Sequence, residues 1–259
     1  MFSDPFTELT VFLSPLVMQI YIALMIVVVV AGTIFDMFHK RSYEYFMLRK
    51  ESFRARAKRQ LGAMERLWLM LKTLGKEVLT SGEFCNVERR ISHLLLFYGF
   101  LLYIVSTLMM VYVYPTSATP TPVLWPALWT LGVLMVLGGG YWFFFFIRVN
   151  VVYEAHSPFS LMPADLFIGS LLASVTFALI WQIVQATGNL LATRVVFGIY
   201  ILLTTALFVS VPWSKFAHMF YKPTAAYQRR VEEAEGSFNL PSAALGRKQV
   251  AAPGRIQGR

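Results

Sequence analysis

The sequence is poor in cysteine and poor in charge. Of 259 residues only Cys85 is a cysteine, and 14% are charged. A lone thiol excludes an intrachain disulfide framework, a thiolate zinc site and a cysteine-ligated iron–sulfur cluster. Soluble domains carry about 25% charged residues, so an ordinary water-soluble fold is excluded as well. There is no Gly-rich phosphate loop, no nucleophile elbow, no arguable pair of acid and base carboxylates, and no His spacing of the metal-ligand type. What the chain has is apolar bulk: 57% hydrophobic residues, with 22 Phe, 12 Tyr and 6 Trp. Its mean hydropathy is +0.58. Disorder is excluded for most of its length.

The apolar residues fall into five uncharged runs of about 17–25 residues, the length that crosses a bilayer as a helix. They are 13–35, 91–114, 124–147, 166–190 and 195–211, and the segment PWSKFAH is expected to continue the fifth. The first run has no basic segment before it and no small-x-small site after it, so it is expected to stay as a span. The predicted fold is all-α, a polytopic membrane protein with five transmembrane helices. Residues 1–225 form the membrane domain, including a loop at 39–90, and 226–259 form a basic, extended cytoplasmic tail.

Charge sets the expected orientation. Residues 39–90 carry 13 Lys and Arg against 6 Asp and Glu, and residues 219–259 carry 7 against 3. Residues 1–12 hold only Asp4 and Glu8, and 115–123 hold no charge. The positive-inside rule then puts the N-terminus outside and the long loop and C-terminus in the cytoplasm, at an inner membrane. The formal charge of +9 is thereby accounted for without nucleic acid. Within the loop, Leu61, Met64, Trp68, Leu71, Gly75 and Val78 recur at steps of three and four, on one helical face. Such a basic amphipathic helix either lies on the inner leaflet or docks a cytoplasmic partner, and the two are compatible. An odd number of spans without an internal repeat argues against a transporter.

All four histidines, His39, His93, His156 and His218, fall near the cytoplasmic edge. Interfacial histidines commonly just contact headgroups or water. His93 and His218 stand apart from the other two. His93 follows Arg90 by three residues, and His218 follows Arg194 by 24, about 36 Å of continuous helix. Both are expected just inside the membrane at similar depth. Two imidazoles so placed on adjacent helices can clamp a b-type haem, with Gly99, Gly198, Thr204 and Thr205 leaving room for its plane. Arg89, Arg90 and Lys215 are placed to meet propionates or headgroup phosphates. His39 and His156, with Asp36 and Glu154, offer only a weak inner-face metal cluster. Cys85 reads as an inert thiol.

Three stretches carry a resemblance: HLLLFYGFLLYIVST from His93, VPWSKFAHMFYKP ending beyond His218, and GGYWFFFFIRVNV leading into PADLF. Over roughly residues 10–225 the chain resembles the membrane cytochrome b family of nitrate reductase gamma subunits. It looks closer to the heterodisulfide reductase membrane subunit and to the Qmo and Dsr membrane subunits. That resemblance implies electron exchange between quinone or quinol and a cytoplasmic iron–sulfur or flavin oxidoreductase, through b haems. It implies His93 and His218 as ligands of the inner haem. The family's outer ligand pair corresponds to Tyr103 and Tyr200, and two Tyr make a poor b-haem site. One heme b, on the cytoplasmic side, is therefore expected, with Tyr103 and Tyr200 either lining a quinone pocket or simply packed. A sulfur-metabolism partner follows from the resemblance, adenylylsulfate reductase first. The competing expectation is a haem-free structural anchor for a soluble reductase.

Overall fold

The computed structural model describes residues 4–39, 42–81, 86–148, 165–210 and 218–237. Among them every regular element is helical. In chain order these are α1 (Pro15–His39), α2 (Ser42–Arg54), α3 (Ala63–Thr73), α4 (Val87–Leu108), α5 (Leu124–Trp142), α6 (Leu166–Gln185), α7 (Leu190–Val209) and α8 (His218–Ala234). A short 3-10 turn, Thr7–Val11, precedes α1. Wider π turns prolong α3 over Leu74–Leu79, α4 over Met109–Val113 and α5 over Phe143–Ile147.

Helices α1, α4, α5, α6 and α7 are long and apolar enough to cross a membrane. They coincide with the five expected runs, and Leu124–Ile147 has the expected ends. The fourth span also starts at Leu166 as expected; the remaining ends differ because a run is bounded by charge and apolar composition whereas a helix stops where its backbone is capped. α4 starts at Val87 because Asn86 Oδ1 accepts from the Glu88 and Arg89 N–H groups, at 2.8 and 3.4 Å. Glu88, Arg89 and Arg90 are therefore helical. α7 starts at Leu190, where Asn189 Oδ1 accepts from the Ala192 N–H at 3.1 Å. Arg194 lies inside it, its guanidinium 5.1 Å from the Phe12 ring centre. The turn from α6 to α7 passes through Gly188 at φ +73°, a conformation that suits glycine.

α7 ends at Val209 with Ser210 as its cap, and His218 opens α8. The expected continuation of the fifth span covers 211–217, which lies outside the described residues. No described helix therefore carries the expected rise from Arg194 to His218 beyond Ser210.

The five spans close into a ring. α1 lies beside α7 and the π end of α4; α7 lies beside α6, α6 beside α5, and α5 beside α4. Lipid tails supply no hydrophobic drive between apolar helices, so close packing through small residues has to hold them. α4 and α5 do this backbone to backbone. A Cβ on Gly99 would lie 2.9 Å from Gly132 O and Val136 N, and one on Gly132 would lie 2.7 Å from Gly99 O and Tyr103 N. Further along, Ser92 Oγ donates to Gly139 O at 2.8 Å.

The two ends of the ring differ. At one end residues 4–13 form a plug. Asp4 accepts from the Phe6 N–H at 2.8 Å and the Thr121 hydroxyl at 2.6 Å, and Gln185 Nε2 donates to Pro5 O at 3.0 Å. At the other end α2, α3 and α8 form a helical platform. The Lys58 N–H donates to Glu235 O at 2.9 Å, Arg59 Nε to Ala234 O at 3.1 Å, and Arg66 pairs with Glu235 at 3.1 Å. Residues 226–237, expected in an extended tail, are thus helical to Ala234 and closed by Ser237 Oγ on Glu232 O at 3.1 Å. The cause is tertiary: Gln228, Val231, Glu232 and Glu235 are buried. The remainder of the tail, 238–259, lies outside the described residues.

Candidate functional site

The first group of site residues lies at the platform end of α4. His93 is two turns into the helix and exposed on its flank. Its Nδ1 is 2.8 Å from the buried Ser81 Oγ. Two neighbours make similar bonds to the same segment: Arg90 Nε donates to Thr80 O and the Tyr98 hydroxyl to Leu79 O, each at 2.8 Å. The end of the α3 extension is thereby stapled along the flank of α4. Ser81 holds φ at +47°, so the chain turns sharply there.

This geometry fits one half of a haem site. An imidazole that ligates iron through Nε2 needs its Nδ1–H held by an acceptor, which fixes the ring and the tautomer. Ser81 Oγ is within hydrogen-bond reach of His93 Nδ1, and accepts from it when Nδ1 carries the proton. His218 is on α8, and its side chain lies outside what the structure describes. Lys215 lies outside the described residues. Arg89 is exposed, and Arg90 is committed to Thr80 O. Gly99, expected to leave room for a haem plane, is spent on the contact with α5. A Cβ on Gly198 would meet nothing within 4 Å.

The second group lies ten residues further along α4, about 15 Å toward the plug. Tyr103 on α4 and Tyr200 on α7 meet across the ring, hydroxyl to hydroxyl at 2.5 Å, and both are buried. Trp181 stacks on Tyr200 with ring centres 5.7 Å apart, and Trp129 lies 5.6 Å from Tyr103. Phe6 of the plug packs against both indoles, 6.2 Å from Trp129 and 5.3 Å from Trp181. Thr107 accepts from Trp129 Nε1 at 3.0 Å. The space between the two helices at this level is filled by aromatic side chains. An outer haem does not fit there, and a quinone would have to part the two phenols, which are each other's partners.

Spacing and motif did not single out Trp129, Trp181, Phe6 or Ser81. A signal did exist for the two indoles, since Trp129 is five residues from the start of α5 and Trp181 four from the end of α6. Both helix ends face the plug, so the indoles share a depth. No comparable pattern marks Ser81. His39 stacks on Phe35 at 5.4 Å and is exposed. His156, Glu154 and Cys85 lie outside the described residues. Among the described residues no three His, Cys, Asp or Glu side chains gather as a metal site.

No protein-family model, curated protein or solved structure matches the chain. Among the described residues, fold and site together give a helical bundle with five helices long and apolar enough to cross a membrane, a plugged end, a helical platform at the other, and a tyrosine pair between them.

Proposed function

We infer that this chain is the membrane subunit of a quinone-linked oxidoreductase, holding one heme b near the platform end. It anchors a cytoplasmic iron–sulfur or flavin subunit and exchanges electrons between that partner and the quinone pool. The N-terminal plug faces outward and the platform faces the cytoplasm, as the charge distribution favours. An inner membrane follows from that orientation. The resemblance favours a partner in dissimilatory sulfur metabolism, adenylylsulfate reductase first.

The observation that carries the reading is the 2.8 Å contact between His93 Nδ1 and Ser81 Oγ, because a ligating imidazole needs a partner on its other ring nitrogen. The Tyr103–Tyr200 contact supports the register of the resemblance, because the positions matched to the outer ligands do face each other. In this reading the bound haem supplies one-electron exchange. His93 and His218 hold it, Ser81 fixes the tautomer of His93, and Arg89 and Lys215 meet the propionates. The closed aromatic layer keeps quinone and electrons in the platform half of the bilayer, so little charge is separated across it.

A second reading, a haem-free structural anchor, is favoured by the packing of Gly99 against α5 and by the exposure of His93. The test is a reduced-minus-oxidised visible spectrum of the purified protein beside His93→Ala and His218→Ala. A b-type spectrum lost in both variants supports the cytochrome. A folded protein without it, still holding its reductase, supports the anchor.

A further inference from the structure

The strongest unexplained surface is on α3. Its two faces have different fates. Arg66 and Thr73 lie on one face, and α8 covers that face through the Arg66–Glu235 pair at 3.1 Å and the Arg230–Thr73 contact at 3.4 Å. Met64, Leu67, Trp68, Leu71 and Leu74 lie on the opposite face, and all five are exposed. At 100° per residue these five fall within about 120° of arc, centred nearly opposite the α8 contact. A contiguous apolar stripe of this kind marks an interaction site.

The position of the stripe identifies its occupant. The π turn that prolongs α3 ends at Leu79, and Leu79 O is held by the Tyr98 hydroxyl at 2.8 Å. Tyr98 is the twelfth residue of a membrane-spanning helix. A helical side chain leans toward the N-terminus of its helix, so Leu79 lies beside the first turns of α4 rather than beyond its end. Arg90 and His93 hold Thr80 and Ser81 at the same level. The end of the α3 extension, residues 79–81, is thereby held beside the first turns of α4. Val87 and Ile91, in the first turns of α4, are exposed apolar side chains as well. Lys72 sits with its ammonium 4.8 Å from the Trp68 ring centre, at the border between the apolar and charged sides. Indole beside lysine is the composition of a headgroup boundary, where the ring enters and the amine stays at the phosphates.

We propose that α3 is an interfacial helix, its Met64–Leu67–Trp68–Leu71–Leu74 stripe seated in the lipid leaflet into which α4 inserts, with Lys72 and Lys76 on anionic headgroup phosphates. The occupant of this face is the bilayer. The reductase would then dock on the α8 side of the platform. The seating of α3 holds whether or not the chain carries a haem.

The test uses the full chain in nanodiscs of mixed phosphatidylcholine and phosphatidylglycerol, with Cys85→Ser as background. Single cysteines are introduced by Trp68→Cys, Leu71→Cys and, as a control on the exposed side of α8, Glu233→Cys. A membrane-impermeant maleimide is expected to label the 68 and 71 sites at least about tenfold more slowly than the 233 site, the ratio set by a tenfold preference for the inserted state. Nitroxide on the lipid acyl chains is expected to broaden spin labels at 68 and 71 and to spare one at 233. Equal labelling rates at all three sites, or no broadening at 68 and 71, overturns the proposal and leaves the face to a protein partner. Neutral nanodiscs of phosphatidylcholine alone test the headgroup part: unchanged protection there overturns the role given to Lys72 and Lys76. Fold is controlled by comparing size-exclusion profile and Tm of each variant with the Cys85→Ser parent.

Discussion

Tyr103 and Tyr200 are joined hydroxyl to hydroxyl at 2.5 Å across the centre of the ring. Ninety-seven residues of chain separate them, and they come from helices that are not neighbours in the ring. The bond therefore locks the register of α4 against that of α7. It also closes the membrane domain between the platform and the plug.

Tyr200→Phe takes from the buried Tyr103 hydroxyl its Tyr200 partner, whereas in Tyr103→Phe the Tyr200 hydroxyl keeps Thr204 beside it. Tyr103→Phe and Tyr200→Phe are each expected to cost about 1–3 kcal/mol. The double variant removes both polar groups together and is expected to cost less than the sum of the two singles. Thermal or denaturant unfolding in detergent, read as a double-mutant cycle, checks this. Additive costs would mean that the phenols do not act as a pair.

Glycines along α4 and α5 are not equivalent. Gly132→Ala places a methyl 2.7 Å from two backbone atoms of α4, which cannot yield as a side chain would. Overpacking of this kind is expected to cost about 1–3 kcal/mol. Gly138, six residues on, has nothing within 4 Å. Gly138→Ala is expected to be neutral or slightly stabilising, because alanine favours a helix by up to about 1 kcal/mol over glycine. A Tm comparison of the two variants decides.

Phe6 is the wedge of the plug, set between two buried indoles. Phe6→Ala is expected to cost about 3–5 kcal/mol if the cavity does not collapse. Tryptophan emission should shift to the red as water reaches Trp129 and Trp181. An unchanged emission maximum and Tm would show that the plug is dispensable to the bundle.

His93 has a structural task as well as a proposed chemical one. Its bond to Ser81 is one of three that fasten residues 79–81 to α4. His93→Ala is therefore expected to keep the fold, at a cost of about 1 kcal/mol. Circular dichroism and Tm of the variant check this. A full loss of folding would make the variant useless as a ligand test and would point to a structural residue.

The five spans were legible because apolar run length is a direct physical requirement of the bilayer. Their ends were less legible, since Arg90 and Arg194 lie inside helices that a hydropathy run excludes. α8 left no trace of this kind. Its buried face includes Gln228, Glu232 and Glu235, which look solvated in sequence and are buried only because α3 and the 58–59 backbone meet them. The amphipathic stripe of α3 was readable from its spacing, except that Leu61 is buried and lies before the helix. Of the candidate site, the resemblance set Tyr103 and Tyr200 in corresponding positions, but that the two hydroxyls meet is a fact of the ring closure. The tie between His93 and Ser81 joins a loop to a helix, and no periodicity carries such a contact.

The central claim is one heme b per chain, in the platform half of the membrane. Pyridine haemochrome quantified against peptide concentration on the purified, monodisperse protein measures it directly. The predicted result is one protohaem per chain. A value of zero in a folded preparation would contradict it and leave a structural anchor, and a value of two would contradict the closed Tyr103–Tyr200 layer.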